Sequence, residues 1–188
     1  MRLLPRHSAF TLIETVIVIA LSLCVVTALS FLLYTFNKAL SYGNISTQSY
    51  TSAGALLREI ESLALSANAV LQTRSFSGTT YTSTTTSLVL ELPSIDNSGN
   101  VIANARDYVV FYAAGANAYR LLEKNASSAR VAGTKLLSST LDTLAFSYDD
   151  TDFAQVRTVT VDIQTRAQVK EETVTSRLYQ QIRLRNHQ

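Results

Sequence analysis

The sequence predicts an α+β protein in which a long amino-terminal helix, membrane-spanning in its first half and amphipathic in its second, packs on an antiparallel β-sheet domain. Three observations predict it. Residues Phe10 to Phe36 form an apolar stretch whose one charge is Glu14. Helical spacing of apolar residues resumes between Tyr50 and Ala64. From Leu88 onward the pattern changes to alternation, the period of a strand. Helix and strands therefore segregate along the chain, as α+β domains require. The boundaries that follow are a leader over 1–9, a membrane helix over 10–37, its amphipathic continuation over 38–70 and a β domain over 71–188.

A helix rises about 1.5 Å per residue, so a hydrocarbon core about 30 Å thick needs about 20 apolar residues. From Thr15 to Asn37 no residue is charged, which is long enough. Backbone groups in lipid must bond to one another, and this holds the segment helical despite its Val, Ile and Thr content. Glu14 stands out, because a carboxylate within hydrocarbon costs about 2.5 kcal/mol or more and needs a polar partner. Upstream, Arg2 and Arg6 hold the short leader on the cytoplasmic side, and the small residues Ser8 and Ala9 precede Phe10. A cut after Ala9 would put a new amino group on Phe10, about one helical turn from Glu14, and a neighbouring chain could offer its own such amine to this carboxylate.

The run Ala9-Phe10-Thr11-Leu12-Ile13-Glu14 resembles the cleavage and methylation motif of type IV prepilins and type II secretion pseudopilins. The resemblance implies that a prepilin peptidase cuts between Ala9 and Phe10 on the cytoplasmic side and methylates the new terminus on Phe10. It implies that Glu14 docks the subunit into a growing filament of other pilin or pseudopilin subunits. It also implies a single-pass precursor in the bacterial inner membrane, with the β domain outside the cytoplasm, before assembly into a pilus or pseudopilus. The family usually carries Gly where this chain has Ala9, and major pilins commonly carry a proline in the helix that this chain lacks. The "FSYDD" strand at Phe146 to Asp150 and the terminal Arg183 to Asn186 resemble the W-like minor pilins and J-like minor pseudopilins. The W-like and J-like resemblance favours a minor subunit.

Of 188 residues, those beyond the membrane helix number roughly 150, enough for one domain. The formal charge is +2, and removal of the leader with Arg2 and Arg6 leaves the chain neutral. No direct nucleic-acid binding is indicated on that charge. Cys24 is the only cysteine, so no intrachain disulfide forms; within the helix it reads as a small apolar side chain.

Lys38 can snorkel to the far interface, and Ser41-Tyr42-Gly43-Asn44 predicts a kink or short break. The stripe Tyr50, Ala53, Leu57, Ile60 and Ala64, widened by Leu56 and Leu63, predicts a helix face that covers a sheet; contact with other subunits is the alternative use. Arg58, Glu59, Glu61 and Ser62 lie opposite. Ser75 to Ser87 reads as a hairpin turning at Ser77-Gly78 rather than a linker. Leu88, Leu90 and Leu92 predict a half-buried strand ending at Pro93, and Asp96 to Asn100 a turn. Tyr108 to Tyr112 and Tyr119 to Glu123 predict a hairpin around a loop at Ala113 to Ala118. Leu144, Phe146 and Tyr148, then Val159, Val161 and Ile163, predict two further strands. The last run keeps Val174, Leu178, Ile182 and Leu184 on one side, with Arg177, Arg183 and Arg185 on the other. Six or so strands result.

Candidate chemistry is sparse. His7 and His187 lie at opposite ends, and no Gly-rich phosphate loop occurs. Paired carboxylates such as Glu59 with Glu61, or Glu171 with Glu172, have no acid-base spacing to distinguish them. Asp149, Asp150 and Asp152 could gather a cation, although a solvated loop is the commoner reading. The expectation is therefore a structural subunit without enzymatic activity, cofactor or metal. Two other functions compete with it: a secreted β-rich binding domain, for which Val26-Thr27-Ala28 would be the signal-peptide site, and a single-span anchored one that keeps its leader.

Overall fold

The computed structural model describes residues 11–169 and 172–185. The expected cleavage site at Ala9 and Phe10, the leader arginines, both histidines, Glu171 and Asn186 lie outside the described residues. The fold is α+β: helix α1 (Leu12–Leu65) precedes ten strands among the described residues. The chain divides into two compact units, Met1–Gly43 and Asn44–Gln188.

In the first unit α1 is apolar on every side. Its most apolar 18-residue window has a mean hydropathy of 2.9, and none of it is buried against protein. A helix apolar all round needs an apolar surrounding, and this one is long and apolar enough to cross a membrane. Several of its hydroxyls bond back to the helix itself. Ser22 Oγ donates to Val18 O at 2.8 Å, Thr27 Oγ1 to Leu23 O at 2.9 Å, Thr35 Oγ1 to Phe31 O at 2.9 Å and Ser41 Oγ to Asn37 O at 2.9 Å. Such back-bonds let Ser and Thr sit in hydrocarbon without an unsatisfied donor. The break expected at Ser41 to Asn44 does not occur, since α1 runs through it. One glycine costs a helix about 1 kcal/mol, too little to interrupt it when good helix lies on both sides.

In the second unit α1 is amphipathic, with Ser49, Ala53, Leu56, Ile60, Leu63 and Ala64 buried. The expected stripe is there but rotated. Tyr50 is 60% exposed, Leu57 is half-buried, and the seam passes through Ser49 and Leu56 instead. Ser49 belongs in it because its Oγ pairs with buried Thr165 Oγ1 at 2.8 Å. The helix stops at Leu65 rather than residue 70, because Ala69–Val70 already forms a strand.

All strand pairings are antiparallel. A five-stranded sheet has the order β1 (Ala69–Val70), β4 (Ser87–Ile95), β5 (Val101–Ala114), β6 (Asn117–Glu123), β7 (Gly133–Ser138). A three-stranded sheet has the order β10 (Glu172–Arg183), β9 (Thr158–Val169), β8 (Leu141–Tyr148). Strands β2 (Thr73–Phe76) and β3 (Thr79–Thr82) form the expected hairpin, and Ser77 and Gly78 both take positive φ, 46° and 92°, the turn that suits a two-residue loop. The β5–β6 hairpin is also as expected but tighter, with Ala114 opposite Asn117 across Gly115. The run around Leu136-Leu137 forms a strand of its own, β7, in the larger sheet. The chain then crosses to the smaller sheet at Ser139 and Thr140.

The main core joins Leu56 and Ile60 of α1 to Leu90, Leu92 and Phe111 of the larger sheet and to Phe146, Val161, Ile163 and Ile182 of the smaller. At about 25 cal/mol per Å², burial of this kind is the main stabilising term of such a domain. Strand β4 departs from expectation twice. It is buried on both faces, because Val89 packs with Phe76 and Val110 beneath the β2–β3 hairpin while Leu88, Leu90 and Leu92 face the main core. It also runs through Pro93 to Ile95. Val89 O and Glu91 O accept bonds on the β1 side, so the same parity turns the nitrogen of Pro93 to that edge, beyond the end of β1. A proline facing an edge where no strand pairs forfeits no ladder bond.

Candidate functional site

The start of α1 is built as a reciprocal cap. Glu14 Oε2 accepts bonds from Thr11 N at 3.0 Å and Thr11 Oγ1 at 3.1 Å, while Glu14 N donates to Thr11 Oγ1 at 3.4 Å. A helix leaves its first N–H groups without partners, and a Thr followed three positions later by Glu satisfies two of them at once. The carboxylate also lies where the helix dipole favours negative charge. Glu14 is thus partnered within its own chain through one oxygen, and Oε1 accepts no bond among the described residues. Sequence reasoning missed the part played by Thr11, although the Thr-x-x-Glu spacing before an apolar run is its signature.

The acidic loop after β8 is organised by its own backbone. Asp149 Oδ1 accepts from Arg157 N at 3.0 Å, Asp150 Oδ1 from Asp152 N at 2.9 Å and Asp152 Oδ1 from Ala154 N at 3.0 Å. These are turn bonds, and no group of three or more His, Cys, Asp or Glu that could hold a metal occurs among the described residues. Asp96 acts in the same way in the β4–β5 turn. Its Oδ1 accepts from Asn100 N at 2.9 Å and Ser98 N at 2.8 Å, and the Asn100 bond leads in holding its carboxyl below the ordinary range. Cys24 is exposed on the apolar part of α1, away from any titratable cluster among the described residues.

Two of the polar groups with structural consequence, Glu59 and Glu61, are ones the sequence placed on an outer face. Glu59 flanks the buried seam, reached by Arg120 Nη1 of β6 at 2.6 Å and Lys135 Nζ of β7 at 3.1 Å. Partial burial pushes its carboxyl up, but these two cations outweigh burial and hold it below its ordinary value. Glu61 flanks the other side, accepting from Gln180 Nε2 of β10 at 2.6 Å. The helix is therefore clasped by polar contacts from both sheets. Asp107, fully buried, accepts from Ser94 Oγ at 2.8 Å, Asn125 N at 2.8 Å and Ser128 Oγ at 2.7 Å, and Arg130 Nε stands 3.1 Å away. This network fixes the 125–130 loop beside β4, where Arg130 Nη2 also donates to Pro93 O at 3.2 Å. No period in the sequence marks Asp107, because its partners come from two separate stretches, Ser94 on β4 and the 125–130 loop.

Chemically, the described residues offer a capped apolar helix long and apolar enough to cross a membrane and a β-rich unit whose buried Ser, Thr and Asp side chains are hydrogen-bonded within the fold. No protein-family model, curated protein or solved structure matches the chain.

Proposed function

We propose that this chain is a structural assembly subunit, a minor pilin or minor pseudopilin, rather than an enzyme. In this reading a prepilin peptidase cuts between Ala9 and Phe10, Phe10 is N-methylated, and α1 passes from the membrane into a bundle of like helices. The carrying observation is Glu14, a carboxylate near the start of an otherwise uncharged apolar span, capped by Thr11 through Oε2 and with no bond to Oε1 among the described residues. Lipid and a helix bundle are both apolar, so moving between them costs little hydrophobic energy, and a polar pair can set register. The amine of a neighbouring chain pairing with Oε1 is such a pair. The α+β unit beyond the helix supplies the exposed surface on which a subunit carries its specificity.

Mass spectrometry of the mature protein tests the reading: the expected amino terminus is N-methylated Phe10. A terminus at Leu29 would instead mark a secreted β-rich domain, and an intact Met1 a single-span anchored one; either defeats the proposal. For the pairing role, the Glu14→Leu variant inserts and is cleaved but assembles poorly, and normal incorporation of that variant into filaments removes Glu14 from the mechanism.

A further inference from the structure

In the β-bearing unit eleven charged residues pair internally among the described residues: Glu59 with Arg120 and Lys135, Glu91 with Arg106, Asp107 with Arg130, Asp142 with Arg166 and Asp162 with Arg177. Outside those pairs stand Arg58, Arg74, Asp96, Glu123 and Lys124, and also three arginines that come together. Arg157, Arg183 and Arg185 line a single cleft of about 610 Å³ beside Leu65, Leu184 and Glu61, and none of the three has a carboxylate within ion-pair reach among the described residues. Glu61, the one acid lining the cleft, is engaged by Gln180. Three guanidiniums around one concavity repel one another, and a planar fork of donors fits a carboxylate better than any other protein group.

The matching excess of acid is the exposed loop of Asp149, Asp150 and Asp152. Each of these carboxylates uses Oδ1 to accept a backbone bond, none is in an ion pair among the described residues, and the turn bonds hold the loop in one shape. Within one molecule the clusters adjoin through the Arg157 N–H, which donates to Asp149 Oδ1 at 3.0 Å, but no guanidinium of the cleft pairs with a carboxylate of the loop among the described residues.

We propose that the arginine cleft is a docking site for the Asp149–Asp152 loop of a second copy of this chain. The three cations left over on one surface are opposite in sign to the three carboxylates left over on the other, and the loop is already ordered, so docking it costs little conformational entropy. The contact deepens the assembly reading by assigning a subunit interface outside the helix. It does not depend on cleavage at Ala9, so a chain that keeps its leader tests it equally well.

The test uses the full chain in detergent micelles, with self-association followed by sedimentation velocity at about 20 mM and about 500 mM salt. The parent protein associates at low salt and less at high salt. Reversing the cleft (Arg157→Glu, Arg183→Glu and Arg185→Glu together) weakens association about tenfold or more, and so does reversing the loop (Asp149→Lys, Asp150→Lys and Asp152→Lys together). An equimolar mixture of the two reversed proteins regains it, because each now offers the other a complementary surface; no folding defect produces that recovery. The triple Asp→Asn variant keeps the turn acceptors and still loses the association. Association in either reversed protein equal to the parent's, or a mixture that stays apart while near-UV circular dichroism shows both proteins folded, overturns the proposal.

Discussion

The two stretches of α1 share one backbone ladder and bury their hydrophobic residues in opposite ways. Between Leu12 and Gly43 large apolar side chains such as Leu21, Val25, Phe31 and Leu33 lie exposed all round the helix. Between Asn44 and Leu65 apolar residues keep to one seam, which the two sheets cover, and polar residues flank it. The difference teaches that helicity here has two causes. The first stretch has the all-round apolar surface of a helix long enough to cross a membrane, where only a helix would satisfy its backbone, whereas the second is helical because its seam packs on strands.

The sharpest way to separate the stretches is a variant that strikes only the second. Asp107→Ala strands Arg130 and three donors in the interior, and the β-bearing unit should lose about 3–5 kcal/mol in denaturant titration by near-UV circular dichroism, with membrane insertion unchanged. Ile60→Ala should cost about 2–5 kcal/mol of the same stability, whereas Leu23→Ala, exposed on the first stretch, should leave it within about 0.5 kcal/mol. Equal losses from the two would mean that the stretches are not distinct in the way described.

Glu59→Gln gives up the clasp to β6 and β7, and because that site is partly exposed the cost should be about 1 kcal/mol. Its pH signature has a definite sign. A carboxyl held below its ordinary 4.5 adds stability that is complete above that pH and disappears as the pH falls through the folded value. Acid titration of unfolding should thus be shallower in Glu59→Gln than in the parent. Tyr148 behaves oppositely. Burial pushes its phenol from 10.0 up to about 12, so its contribution is complete below pH 10 and lost as the pH climbs toward 12. Tyr148→Phe, which removes donation to Thr84 O and Ser87 O, should cost about 1 kcal/mol or less at neutral pH and flatten the alkaline loss.

Much of this was legible in residue order. Strict alternation marked β9 and β10, and Val174, Ile182 and Leu184 are buried while Arg177, Arg183 and Arg185 are exposed. Turn chemistry marked Ser77-Gly78 and Asp96 to Asn100. What escaped was tertiary. The unbroken apolar run Leu88-Val89-Leu90 does not say that a distant hairpin covers its second face. Pro93 ends a strand by local rule but is tolerated here because β1 is only two residues long. For the candidate site, Glu14 declared itself as the lone charge in an apolar span. The role of Thr11 was spelled in the same six residues yet needed the cap geometry to be seen.

The crossing at Ser139 and Thr140 bears on when the chain can fold. Ser52, on the helix, bonds Ser138 Oγ at 2.9 Å at the end of β7 and accepts from Thr140 Oγ1 at 3.4 Å, while Ser49 waits for Thr165 on β9. A segment near the beginning therefore has its walls supplied by residues far downstream, and loop-closure entropy must be met before those walls reward it. A chain delivered amino terminus first holds an open, half-lined groove until its final strand arrives, so truncation before Leu184 leaves a sticky intermediate rather than a smaller domain.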